Sequence, residues 1–94
     1  MDKKRANELR EIGCIVCRLH YGIWSEPEMH HLKGYEWSSM GKRANDQHTI
    51  PLCPIHHRHG AKAHVGYHQS PARFEDMYGT QSYLLARTNK LIRG

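Results

Sequence analysis

Phenylalanine occurs once, and aromatic residues make up only 9% of the 94 positions. Apolar residues reach 38%, short of the roughly 45–50% usual in globular domains. A chain this small buries only about 60–65% of the surface its unfolded form exposes. With so few large apolar side chains, the core calls for a staple. Long hydrophobic runs are missing too. None approaches the ~18 residues of a membrane-spanning helix, and Met1-Asp2-Lys3-Lys4-Arg5 has no apolar segment behind it, so no signal peptide is expected. Acidic residues are few: 9 Asp+Glu stand against 14 Lys+Arg, giving +5. That balance suits an anionic partner, and nucleic acid is the common one. Cysteine numbers 3. An odd count with no export signal argues against a disulfide framework and for a reducing, cytoplasmic compartment with thiols free to bind metal. The length allows one domain, 1–94, and no repeat or low-complexity tract divides it.

The pattern predicts an α+β fold. Asp2 can cap a helix over about 3–12, Gly13 can end it, and Ala6, Leu9 and Ile12 form a rough apolar stripe. Lys3, Lys4 and Arg5 read as its solvated first turn. Residues 14–17 form a tight knuckle leading into a loop. Short strands are expected over 28–32 and 48–52, separated by a loop over 33–47, and Pro51 keeps the second strand off the middle of any sheet. Pro54 suits the first position of a helix over about 54–59, closed by Gly60. Helices over about 71–78 and 81–92 follow. In the last, Leu84, Leu85, Thr88, Leu91 and Ile92 recur at helical spacing.

Two short pairs carry metal-ligand spacing. Cys14-x2-Cys17 is the first and Cys53-x2-His56 the second. Zinc takes four thiolate or imidazole ligands in a tetrahedron, and a two-residue gap lets both members of a pair face one ion. Together they make a Cys3His structural zinc site that uses every cysteine, a source of folding free energy for a thin core. Trp24 is placed over this knuckle.

The remaining histidines exceed what a structural zinc needs. His30-His31 are adjacent on a strand, so they point to opposite faces, and a bulge or the strand's end must bring both to one site. His56-His57 are adjacent at a helix start, so one can turn to the zinc and the other elsewhere. Strand, loop, strand and helix, with histidine on the first strand and on the helix, outline a small zinc-stabilised ββα-metal finger with additional N- and C-terminal helices. The core of that finger is about 28–60.

Met29-His30-His31-Leu32, followed by His48-Thr49-Ile50-Pro51-Leu52-Cys53-Pro54-Ile55-His56-His57, resembles the HNH (His-Me finger) endonucleases. The resemblance implies a metal-dependent DNA endonuclease. It makes His30 and His57 ligands of a catalytic Mg2+ or Mn2+, a site zinc can also occupy, and His31 the general base. It gives His48, where Asn is more usual, an orienting role. The stretch from Pro51-Leu52-Cys53 through Tyr67-His68, Phe74-Glu75 and Tyr78-Gly79-Thr80 looks like the phage recombination-enhancement (Ref-type) branch, known as RecA-dependent nucleases. That branch implies phage or prophage origin in a bacterial host and a RecA-type recombinase filament as a partner beside DNA.

The chemistry suits the residue types. Imidazole titrates near neutrality and can take a proton from water. A divalent ion on neutral ligands keeps its charge for a phosphate. His68 is a candidate further ligand. Lys33, Lys42, Arg43, Arg58 and Lys62 are candidate phosphate contacts, while His20, His59 and His64 are read as surface or phosphate-contact residues. Two other classes compete: a catalytically silent zinc module that binds nucleic acid, and a protein-interaction domain on a zinc scaffold. Neither needs the His30-His31 doublet.

Overall fold

A computed structural model describes residues 1–34, 36–38 and 43–94; Lys42 lies outside them. Helix α1 spans Lys3–Ile12. The Asp2 carboxylate accepts from the backbone N–H groups of Lys4 (2.9 Å) and Arg5 (3.4 Å), two of the donors a helix start leaves unpaired. Gly13 ends the helix at φ 76°. A Cβ there would lie 2.5 Å from the Trp24 ring, so the position requires glycine twice over. Trp24 therefore lies against the residue just before the knuckle, with its Nε1 donating to the Arg10 carbonyl at 3.0 Å.

The first turn of α1 is solvated at Lys3 and Lys4 but not at Arg5, which is buried. Its guanidinium donates to the Thr49 hydroxyl (3.2 Å), the Thr49 carbonyl (2.6 Å) and Asn89 Oδ1 (2.7 Å). It thereby ties the N-terminal helix to the second strand and the last helix.

Strands β1 (Glu28–His31) and β2 (Thr49–Leu52) form a two-stranded antiparallel sheet. Pairing runs without a break from Glu28↔Leu52 to His31↔Thr49. Pro51 takes a place on the free edge that each strand of such a pair keeps. Two five-residue helical turns flank the sheet in sequence, at Cys17–Tyr21 and Ile55–His59. The first falls where a loop was expected. The second replaces the regular helix expected over 54–59. It closes with the Gly60 N–H on the Ile55 carbonyl at 2.9 Å, a wide i→i+5 bond of the kind found at functional sites.

Helix α2 (Pro71–Tyr78) starts from a Ser70 cap, and α3 (Gln81–Arg93) from a Thr80 cap. Helix α3 packs on α1 and β2. The core gathers Ile15, Leu32, Ile50, Leu52, Phe74 and Leu84, and all three cysteines lie inside it. The protein is thus a small α+β structure. No helix among the described residues is long and apolar enough to cross a membrane.

Candidate metal centres

Cys14, Cys17, Cys53 and His56 converge as the spacing requires, and all four are buried. His56 Nδ1 lies 3.7, 3.6 and 3.3 Å from the sulfurs of Cys14, Cys17 and Cys53, and the Cys17 and Cys53 sulfurs are 4.0 Å apart. A tetrahedral zinc with ordinary bond lengths has S–S edges of about 3.8 Å and S–N edges of about 3.6 Å. The cluster therefore has the size of a coordination shell and could hold a metal such as zinc. Without a cation its chemistry runs the other way. Burial pushes the Cys14 thiol up to about 12 and raises Cys17. Burial also lowers His56 to about 4, leaving a neutral imidazole ready to ligate. On the far side of that ring, His56 Nε2 meets His64 Nδ1 at 3.1 Å. His64 is thus a partner of the cluster, not the surface residue its sequence context suggested.

A second cluster holds His30, His57 and His68, with a nitrogen from each within 4.8 Å of the others. Three segments supply them. His30 comes from β1, where alternation turns it inward to 1% exposure. His57 comes from the Ile55–His59 turn, one residue past His56, so the turn sends neighbouring rings to different clusters. His68 is brought in by backbone strapping: the N–H groups of Tyr67 and His68 donate to the carbonyls of His56 (2.9 Å) and His57 (3.0 Å).

Each nitrogen environment differs. His57 Nδ1 donates to Glu28 Oε1 at 2.9 Å, which leaves Nε2 free. Arg58 also binds the Glu28 carboxylate, and it, followed by His57, holds that carboxyl down at about 2. His30 Nε2 lies 3.1 Å from Gln81 Oε1, while its buried Nδ1 has no hydrogen-bond partner among the described residues. Burial lowers His30 to about 3 and also lowers His68, with the Lys33 charge a lesser contributor to both. Three imidazoles, one with a buried nitrogen that has no partner among the described residues, fit a divalent cation and leave coordination positions open.

The other site residues fall elsewhere. His31, the last residue of β1, lies on the opposite face from His30, with Nε2 2.9 Å from Asp46 Oδ1. That contact is the main reason the Asp46 carboxyl is lowered. Neither bulge nor break intervenes in the pairing. His48 sits outside the three-histidine cluster, its ring 5.1 Å from that of Trp37. Lys33 follows β1 by two residues. Arg43 lies 3.9 Å from Asp46, and Arg58 is engaged with Glu28. Lys62 is exposed in a turn at φ 52°. Sequence reasoning missed Glu28, Gln81, Asp46 and His64. Of these, only Glu28 carried a signal, standing two residues before His30 and so on the same strand face.

A family model described as "Recombination enhancement, RecA-dependent nuclease" matches residues 1–93. The uncharacterized protein YdfU of Escherichia coli strain K12 is 38% identical over 58 residues, covering 62% of this chain and 15% of that protein. The chain thus spans a small part of that relative's length.

Proposed function

Because the chain belongs to the recombination enhancement, RecA-dependent nuclease family, we propose that it is a metal-dependent DNA endonuclease of the HNH, ββα-metal type, folded as a single domain around a structural zinc. The observation that carries this reading is the convergence of His30, His57 and His68, separate from the Cys3His cluster. A module that only binds nucleic acid needs one closed metal site, not a second, open one.

A divalent ion bound there supplies Lewis acidity to the scissile phosphate and the leaving 3′ oxygen. The chain's own residues do the rest. His30, His57 and His68 hold the ion, and Glu28 orients His57 through Nδ1. Lys33 adds positive charge beside the cluster. We assign His31 as general base, with His48 in an orienting role. With its Nε2–H directed at Asp46, His31 keeps Nδ1 free to take a proton from water. As the last residue of β1, it would act on a DNA backbone that crosses the strand end. The RecA dependence in the family description supports a RecA-type filament as the partner that licenses cutting, and the Ref-type resemblance implies a bacterial host and a phage or prophage source.

The test is incubation of supercoiled plasmid with Mg2+ or Mn2+, with and without a RecA filament on the DNA. Native protein nicks or linearises the plasmid. His31→Ala keeps its metals and its DNA affinity but slows by roughly 10²–10⁴-fold, the usual worth of general-base catalysis. Equal rates for the two proteins would remove His31 from the mechanism. No cleavage by native protein under any condition would favour the silent module.

DNA affinity in this reading is mainly electrostatic, through Lys33, Lys42, Arg43, Arg58 and Lys62. About four phosphate contacts predict a fall of roughly 10²-fold between ~50 and ~200 mM salt. Fluorescence anisotropy with a labelled duplex measures it, and an affinity indifferent to salt would refute it.

A further inference from the structure

Gln81 opens α3 and is buried. Both ends of its side-chain amide meet the backbone of one residue. The Lys33 N–H lies 2.9 Å from Oε1, and Nε2 lies 2.8 Å from the Lys33 carbonyl oxygen. A backbone N–H can only donate and a backbone C=O can only accept. The orientation of the amide is therefore set by chemistry: oxygen toward Lys33 N–H, nitrogen toward Lys33 C=O.

The same Oε1 faces His30 Nε2 at 3.1 Å. An amide oxygen has no hydrogen to give, so the ring nitrogen opposite must carry one. A neutral imidazole has a single N–H. Its other nitrogen, Nδ1, is then a bare lone pair, and this is the buried atom left without a partner among the described residues. The His30 ring packs among those of Tyr67, His57 and His68, with centroids 4.6, 5.1 and 5.4 Å from its own.

We infer that Gln81 is the positioning residue of the His30–His57–His68 site: by reading the Lys33 backbone with both ends of its amide, it fixes His30 as the Nε2–H tautomer and so selects Nδ1 as the metal-ligating atom. The inference rests on the reading of the three histidines as a metal site. It makes α3, which contributes no ligand, part of the apparatus that aims one. It also gives the two inner ligands opposite polarity. Glu28 holds the hydrogen of His57 on Nδ1, and Gln81 holds that of His30 on Nε2. Each ring is locked by a different outer partner, as metal-binding histidines require.

The experiment uses the full chain with its zinc loaded, and Co2+ alone as the probe of the second site. Long-range 1H–15N correlations give the His30 tautomer. Visible absorption follows Co2+ binding, and the absence of a sulfur-to-metal charge-transfer band shows that the cysteine cluster is not involved. The variant is Gln81→Met, which keeps the length and removes the amide. Native protein should show His30 as Nε2–H. Gln81→Met should mix the tautomers and weaken Co2+ binding by about 10–100-fold, with zinc content unchanged.

Native His30 protonated on Nδ1 overturns the inference, and that measurement needs no variant to fold. So does Gln81→Met with native tautomer and native Co2+ affinity. His30→Ala separates the two levels. If it binds Co2+ as native protein does, the metal-site reading fails. If it loses Co2+ while Gln81→Met does not, only the role of Gln81 fails.

Discussion

A chelator strong enough to strip zinc from Cys14, Cys17, Cys53 and His56 is expected to unfold the chain, not merely to silence it. The three sulfurs sit within the same cluster as Ile15, Leu52 and Phe74, so the metal would lie inside the core. It would join the knuckle after α1 to the turn after β2, with Cys17 and Cys53 separated by 36 positions in sequence. A structural zinc contributes about 10 kcal/mol or more in small modules, which is comparable to the whole stability of a typical domain, roughly 5–15 kcal/mol. Removing it leaves buried thiols that burial keeps protonated, at about 12 for Cys14, and a void where an ion bridged four groups. Circular dichroism during chelator titration, with released zinc measured in parallel, should show one cooperative loss of structure matching one equivalent of zinc. Cys53→Ala should behave as the stripped protein does. A zinc-free chain that melts at the native temperature would refute the assignment.

The second large effect is expected in rate. Replacing His30 and His57 together with alanine should leave the fold and one zinc per chain in place, while cleavage falls by at least ~10⁴-fold. The reasoning is that a divalent ion supplies several kcal/mol of charge stabilisation to phosphoryl transfer, and ~5.5 kcal/mol corresponds to that factor. Burial keeps His30 neutral down to about pH 3, so at neutral pH no proton must leave it before a metal arrives. The single variants should lose less, and millimolar Mn2+ should partly restore them by refilling a weakened site. It should not restore the double variant. Plasmid cleavage across a Mn2+ series, with bound metals counted in each protein, provides the check. Native cleavage rates in the double variant would dismiss the three-histidine site as the reaction centre.

Local chemistry announced much of this arrangement. Asp2, Gly13, Ser70 and Thr80 delimit helices because caps act within one turn, and their helices lie where these residues place them. The cysteine pairs were legible because a metal site stamps short spacings on the sequence. The joint placement of His30 and His57 followed from the finger-like order of strands and turn. What escaped was non-local. Arg5 reads as one of a solvated basic triplet until the Thr49 carbonyl, 44 positions away, is known to receive it. His68 joins His30 and His57 only because two backbone hydrogen bonds strap its segment to the Ile55–His59 turn. Gln81 looks like an ordinary first residue of an amphipathic helix. Strand alternation puts His30 and His31 on opposite faces, and the bulge expected to bring both to one site is absent: the unbroken register with Thr49 and Ile50 keeps them parted. Asp46, which receives His31, belongs to the connection between the strands, where periodicity carries no information.

His56 and His57 are joined by one peptide bond, yet their rings serve different clusters. That adjacency couples the two clusters in the proposed reading. The Ile55–His59 turn is braced by His56 on the side of the cysteine cluster and by Glu28 and the Tyr67–His68 segment on the other, so an ion closing the cysteine cluster would also steady the turn that presents His57. In that reading a cell short of zinc would hold less folded chain and more that is exposed to proteolysis, so zinc supply would set how much active protein exists, while the second metal would set only how fast it works.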